Sequence, residues 1–206
     1  MPIVVIIDLM ESLSRYKNKA QWNELYRSME DELNKIKTEY HGECIGPQIV
    51  LGDSVEILSL ACEPVIRTIH AIMTIDPKVR IGIGVGRAII VDSADINRCT
   101  GEAFDLARQA LEEAKQKRKL ICIKWRETIS KELESTLCIV SFSLYLAKLN
   151  KRTIRYLFDY IWRRLTIKSI AEKYGKSISS VYITLERANA EVLRRILRAS
   201  LRKTRK

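Results

Sequence analysis

Over the first 125 residues the hydrophobic positions switch repeatedly between two spacings. Pro2–Asp8 is an unbroken apolar run ending in a carboxylate, the pattern of a central strand covered on both faces. From Trp22 the apolar positions fall at Leu25, Met29, Leu33, Ile36 and Tyr40, a helical period that Gly42 stops. Ile49–Leu58 holds two strand-forming runs broken at Gly52-Asp53, a hairpin signal. Pro64 suits the first turn of a second helix, with Val65, Ile69, Ile72 and Met73 facing inward. Val79–Gly86 is a β-branched strand carrying Gly82, Gly84 and Gly86 at alternate positions, and it is expected to continue through Ala88–Val91. Those glycines share one face, so another backbone or a ligand can come close there. Gly101–Lys117 reads as a third helix with the stripe Phe104, Ala107, Leu111 and Ala114, and Leu120–Trp125 as a last strand. The order β-α-β-β-α-β followed by α-β is the split-βαβ arrangement with one added unit.

From Thr128 onward the pattern is helical throughout. Leu133, Leu137, Val140, Leu144 and Leu149 predict one long helix, and Ile154, Leu157, Phe158, Ile161 and Leu165 the next. The fold class expected is therefore α+β: a sheet domain over 1–126 followed by an all-α domain over 127–206, with the boundary near Glu127. Within the second domain, Ile167, Ile170, Ala171 and Tyr174 form a short helix, and Gly175 supplies a turn. Ile178 is expected to plug the inner side of that turn, and Ser179 and Ser180 to open a helix packing through Val181 and Leu185. This is the helix-turn-helix plan, at about 166–190.

Charge sharpens the division. The chain of 206 residues carries a net +11, yet residues 1–150 hold 20 Lys/Arg against 21 Asp/Glu. Residues 151–206 hold 16 against 4, a net +12. The basic character belongs to the helical end, as expected for a polyanion-binding module joined to a neutral one. The five cysteines are odd in number and not in CxxC pairs, which reads as reduced, mostly buried thiols of a cytoplasmic protein. No apolar run approaches the ~20 residues of a membrane span. The apolar face of the tail (Val192, Ile196, Leu197, Leu201) is narrow for a membrane-surface helix. His41 and His70 lie on predicted helices, far apart in sequence, and read as surface or core histidines.

In a split-βαβ fold the end of the first strand and the tip of the middle hairpin lie on neighbouring strands, which brings Asp8 and Asp53 together. Two convergent carboxylates repel unless a cation sits between them, and oxygen-only ligands suit Mg²⁺ or Mn²⁺. Plainer roles exist for each: Asp53 forming the turn, Asp8 capping the following helix, the glycines serving helix-on-sheet packing. Asp8-x-x-x-Ser12, Leu-Gly52-Asp53, Arg80-Ile-Gly-Ile-Gly-Val-Gly86 and Gly101-Glu-Ala-Phe-Asp-Leu-Ala-Arg108 resemble, in that order, the SatD family of prokaryotic proteins. That family is in turn similar to the ferredoxin-like, palm-type catalytic domain of class III nucleotide cyclases and diguanylate cyclases. The resemblance covers roughly residues 2–125. It implies that Asp8 and Asp53 hold metal and that Gly52, Gly84, Gly86 and Arg108 contact a nucleotide. There are departures. Asp105 stands in the place of the cyclase asparagine, Arg108 falls one residue short of the arginine, and Ser54-Val55-Glu56 differs from the diguanylate cyclase hairpin signature.

The segment Ile170-Ala-Glu-Lys-Tyr-Gly-Lys-Ser-Ile-Ser-Ser-Val181 resembles the C-terminal region of sigma factors and LuxR-type regulators over about 25 residues. Ser179–Arg187 is then the recognition helix, with Ser179, Ser180, Tyr182, Ile183, Thr184, Glu186 and Arg187 toward the major groove. Lys176 and Ser177 stand at its start, where backbone N–H groups attract phosphate, and Lys168, Arg163 and Arg164 add backbone contacts. The expectation is a DNA-binding regulator that acts as a homodimer on double-stranded DNA, its front domain sensing a nucleotide or metal. The alternative is a metal-dependent nucleotide cyclase or other nucleotidyl-transfer enzyme acting on a nucleoside triphosphate.

Overall fold

The structure, a computed structural model, describes the backbone of residues 1–50, 52–125 and 132–202, and the side chains of all of these except 132–137 and 198–202. Contacts divide the chain into two compact units, Met1–Leu144 and Tyr145–Lys206. The boundary expected near Glu127 lies outside the described residues, as do Leu51 and the expected helix start at Thr128. Among the described residues no helix is long and apolar enough to cross a membrane.

The first unit is α+β. β1 (Ile3–Leu9) is followed by a short helix α1 (Ser12–Arg15) and the long α2 (Lys19–Glu39). The hairpin β2 (Cys44–Val50) and β3 (Ser54–Ser59) leads to α3 (Cys62–Ile75) and β4 (Val79–Val85). β5 (Ile89–Ile90) and β6 (Cys99–Thr100) form a separate two-stranded ribbon, after which come α4 (Glu102–Gln116) and β7 (Ile121–Trp125). The main sheet has the order β2-β3-β1-β4-β7, with β1 antiparallel to both neighbours and β7 parallel to β4.

Register explains the two faces of the sheet. Asp8 lies opposite Ser54 and Arg80, Ile6 opposite Glu56 and Gly82, and Val4 opposite Leu58 and Gly84, so these residues share one face. A Cβ at Gly84 would fall inside the Ala103 carbonyl and the Ala107 amide, and one at Gly82 would stand 2.6 Å from the Leu111 amide. The backbone that uses the bare glycine face is thus that of α4, whose Ala103, Ala107 and Leu111 join Val4, Ile6 and Leu58 in one buried cluster. On the other face Val5, Ile7, Val55, Ile57, Ile81 and Ile83 have no exposure, each such side chain contributing roughly 1.5–3 kcal/mol by burial. α2 and α3 pack on each other and present the predicted rows Leu25, Met29, Leu33, Ile36 and Val65, Ile69, Ile72, Met73, all buried.

Two expectations are corrected here. The glycine strand does not run on through Ala88–Val91. Its last rung is Gly86 N–H to the Pro2 carbonyl, where β1 has begun and offers no further partner. α5 (Glu132–Ala147) buries Ile139, Phe142 and Leu146 rather than Leu144, which is 44% exposed. That helix is apolar on nearly every side, so spacing alone does not select its inward face. The side chains of Leu133 and Leu137 lie outside the description. Phe142 meets the buried His70 ring edge-on at 5.4 Å, making His70 a core histidine. The cysteines form no disulfide, with Cys62, Cys99 and Cys122 buried and Cys44 and Cys138 half-buried.

The second unit is helical: α6 (Lys151–Ile161), α7 (Ile167–Tyr174), α8 (Ile178–Arg187) and α9 (Ala190–Arg202). Asn150, Thr166 and Ser177 cap the first three, each accepting the backbone N–H three residues on, worth about 1 kcal/mol apiece. Gly175, at φ 59°, closes α7 in the left-handed conformation that favours glycine. Ile154, Leu157, Phe158 and Ile161 of α6 and Leu197 of α9 join Ile170, Ala171, Val181 and Leu185 in the interior.

Candidate functional site

Two places bring together the residues singled out by sequence, one in each unit. In the second, α7 and α8 are joined by a turn at Gly175–Ser177 and pack through Ile170, Ala171, Val181 and Leu185. Ser177 accepts the Ser180 amide at 3.2 Å, so the second helix begins at Ile178, one residue earlier than expected. Ile178 does not plug the turn. It is 54% exposed, at the first position of α8. Lys168, Lys176, Ser177, Ser179, Ser180 and Arg187 are exposed, as are Tyr182 (50%) and Ile183 (44%). Thr184 is half-buried and donates its hydroxyl to the Ser180 carbonyl at 2.8 Å, so it serves its own helix.

Asp159, on α6, went unnoticed in the sequence and is 1% exposed. Lys173 of α7 donates to both its oxygens, at 2.9 and 2.7 Å, and Arg163 donates at 2.8 Å. The Tyr174 hydroxyl is pushed above its usual range by burial and by its hydrogen bond to the same carboxylate. This hub fastens α7 to α6 and takes up Lys173 and part of Arg163, while Lys168, Lys176 and Arg164 stay in water. The available signal was an acid on an otherwise apolar helix face with a basic residue four positions later.

In the first unit Asp8 stands next to last in β1, with its carboxyl raised above the ordinary value. Burial is the main cause, and Lys115 and Arg80 lower it while Asp53 and Glu112 raise it. The Asp53 charge is thus felt at Asp8, as strand pairing dictates: Asp8 lies opposite Ser54, the residue after Asp53. Asp8 is a strand residue and caps nothing, since the cap positions of α1 and α2 are Glu11 and Asn18. Gly52, at φ 79°, forms the hairpin turn, and the Tyr26 hydroxyl donates to its carbonyl, pinning the tip to α2.

Lys115 is the residue missed here, its ammonium 3.8 Å from Asp8. The row Ala103, Ala107, Leu111 descends α4 over Gly84 and Gly82, and one more turn lands on Lys115 beside Asp8 and Arg80. The pair is therefore offset by the chain's own cation. Among the described residues no three His, Cys, Asp or Glu side chains gather as a metal cage. Two carboxylates fit an open Mg²⁺ or Mn²⁺ site that water and phosphate would complete.

The other nucleotide candidates are differently placed. Gly84 is sealed beneath α4, and Gly86 stands against Glu102 at the start of that helix, so neither offers bare surface to a ligand. Arg108 pairs with Asp105 on its own helix at 3.3 Å, and its charge partly offsets the buried Glu56, whose carboxyl burial raises. No protein-family model matches the sequence, and no curated protein matches it.

Proposed function

We propose that the protein is a cytoplasmic DNA-binding regulator of the SatD-like type, gripping duplex DNA through a helix-turn-helix formed by α7 and α8. The observation that carries this reading is one of coincidence. The segment of net +12 is the one that presents a capped, solvent-exposed helix after a tight glycine turn. With α8 in the major groove, Lys176 and the first N–H groups of α8 would meet phosphate, Lys168 and Arg164 would add backbone contacts, and Arg187 would lie along the groove. A homodimer reading half-sites about 34 Å apart would supply the affinity that a single motif lacks.

Titration with labelled duplex DNA across a salt series tests it. Six or so phosphate contacts lose roughly 10³-fold in affinity between 50 and 200 mM salt. Lys176→Ala with Arg187→Ala weakens binding on the order of 10- to 100-fold. Absent or salt-indifferent binding would overturn the reading.

For the front unit, the strand order β2-β3-β1-β4 supports a ferredoxin-like fold of cyclase palm type with β7 added. The Asp8–Asp53 juxtaposition favours a nucleotide-sensing role, with these two residues holding Mg²⁺ or Mn²⁺ and Lys115 facing phosphate. It also favours a second reading, nucleotidyl transfer on a nucleoside triphosphate. The metal would there activate the attacking hydroxyl and neutralise the phosphates. Incubation with ATP or GTP plus Mn²⁺ separates the two: a sensor raises its melting temperature and leaves the nucleotide intact, whereas an enzyme consumes it.

A further inference from the structure

The exposed face of α8 is unusual for a helix meant to read bases. Its outward side chains in the first two turns are Ile178, Ser179, Ser180, Tyr182 and Ile183, with Ile178 54%, Tyr182 50% and Ile183 44% exposed. None is an Arg, Lys, Asn or Gln, the side chains that make bidentate bonds to guanine or adenine. Arg187 comes only in the last turn, farthest from the end that approaches the bases most closely. Ile178 and Tyr182 are one turn apart, as are Ser179 and Ile183, so two adjacent rows mix apolar and hydroxyl groups. In the major groove one group answers an apolar side chain: the 5-methyl of thymine.

Resting on the DNA-binding reading above, we propose that α8 selects its site chiefly by burying thymine methyl groups against Tyr182 and Ile183, with Ser179 and Ser180 bonding the neighbouring base edges. The partner class is duplex DNA whose half-site carries A·T pairs at the positions beneath these side chains. A protein partner on the same strip is the competing occupant. Charge decides between them: the strip stands in the most basic quarter of the chain, beside Lys176 and an N-terminal row of backbone N–H groups, all suited to a polyanion.

Selection from random duplexes with the full-length chain supplies a preferred site, and its thymines are then replaced one at a time by uracil, which removes only the methyl. We expect about fourfold weaker binding per contacted methyl, the ~0.8 kcal/mol of a buried methylene converted at 1.4 kcal/mol per decade. Ile183→Ala and Tyr182→Ala bind the thymine duplex more weakly and lose the distinction between thymine and uracil. Both residues are half exposed, so the variants keep the fold, which circular dichroism checks. Equal affinity of the wild type for thymine and uracil duplexes overturns the inference and leaves the DNA-binding reading standing. No duplex binding at all overturns both. Unchanged DNA affinity with a lost oligomer in sedimentation makes the strip a protein interface and overturns the inference as well.

Discussion

Asp8 shows how a single side chain can be held against its own preference. Burial raises its carboxyl above the ordinary 3.8, and this outweighs the relief that Lys115 and Arg80 give. Between the unfolded and the folded pKa the folded state therefore holds a proton that the unfolded chain has already released. The resulting penalty is complete above the folded pKa and fades as pH falls through it toward 3.8. Asp8→Asn, of the same shape without the charge, is expected to stabilise the protein at pH 7 by roughly 0.5 kcal/mol, after subtraction of a weak, half-wet pairing with Lys115. Urea melts at pH 7 and again close to the ordinary carboxylate pKa measure it, and the gain should shrink at the lower pH. The same variant should lose any rise in melting temperature given by Mn²⁺ and nucleotide. A gain in stability coupled to loss of that response would mark Asp8 as a group kept for a ligand. If Asp8→Asn destabilises the protein instead, the Lys115 contact outweighs burial and Asp8 is a structural ion-pair partner.

Among the elements, α4 lying on β4 is the contact that decides what the sheet can bind. Alternation made the shared face of Gly82, Gly84 and Gly86 readable from sequence, but the occupant of that face was not. A bare strand face invites a ligand and a helix equally, and only the register of Ala103 and Ala107 over Gly84 resolves it. Gly84→Ala is expected to cost about 3 kcal/mol, because the new methyl meets the α4 backbone and no side chain can move aside. Thermal and denaturant melts check this, and a neutral result would mean that α4 lifts from the sheet at little cost. The succession of strands and helices and the hairpin were legible because periods of 2 and 3.6 residues differ sharply wherever one face is polar. α5, apolar on most sides, gave no such contrast, and its inward face falls on Ile139, Phe142 and Leu146 instead of Leu144. Asp159 was only half legible: its spacing to Arg163 could be read, but a buried acid is understood only once Lys173 arrives from α7, fourteen residues away. Ile178 was misplaced because α8 opens one residue before Ser179, capped by Ser177, so Ile178 belongs to the helix and not to the turn.

At the scale of the whole molecule the distribution of charge is the dominant fact. A net +12 confined to residues 151–206 repels itself, whereas residues 1–150 are nearly neutral. Raising salt from about 0.1 M to about 1 M shrinks the Debye length from about 10 to about 3 Å, which screens that repulsion. Salt should therefore act with opposite signs on two properties of the second unit, stabilising its fold while weakening its hold on DNA. The first unit has no comparable repulsion to relieve, so its stability should respond far less. The three tryptophans provide the readout, with Trp162 in the second unit and Trp22 in the first. In a variant retaining only Trp162 the unfolding midpoint is expected to climb with sodium chloride, and in one retaining only Trp22 to move much less. Effects of the salt on water itself are common to both reporters, so the difference between them isolates the charge. Equal shifts at the two tryptophans would mean that the positive field is neutralised within the fold and not held open for a polyanion, and the DNA-binding proposal would lose its electrostatic footing.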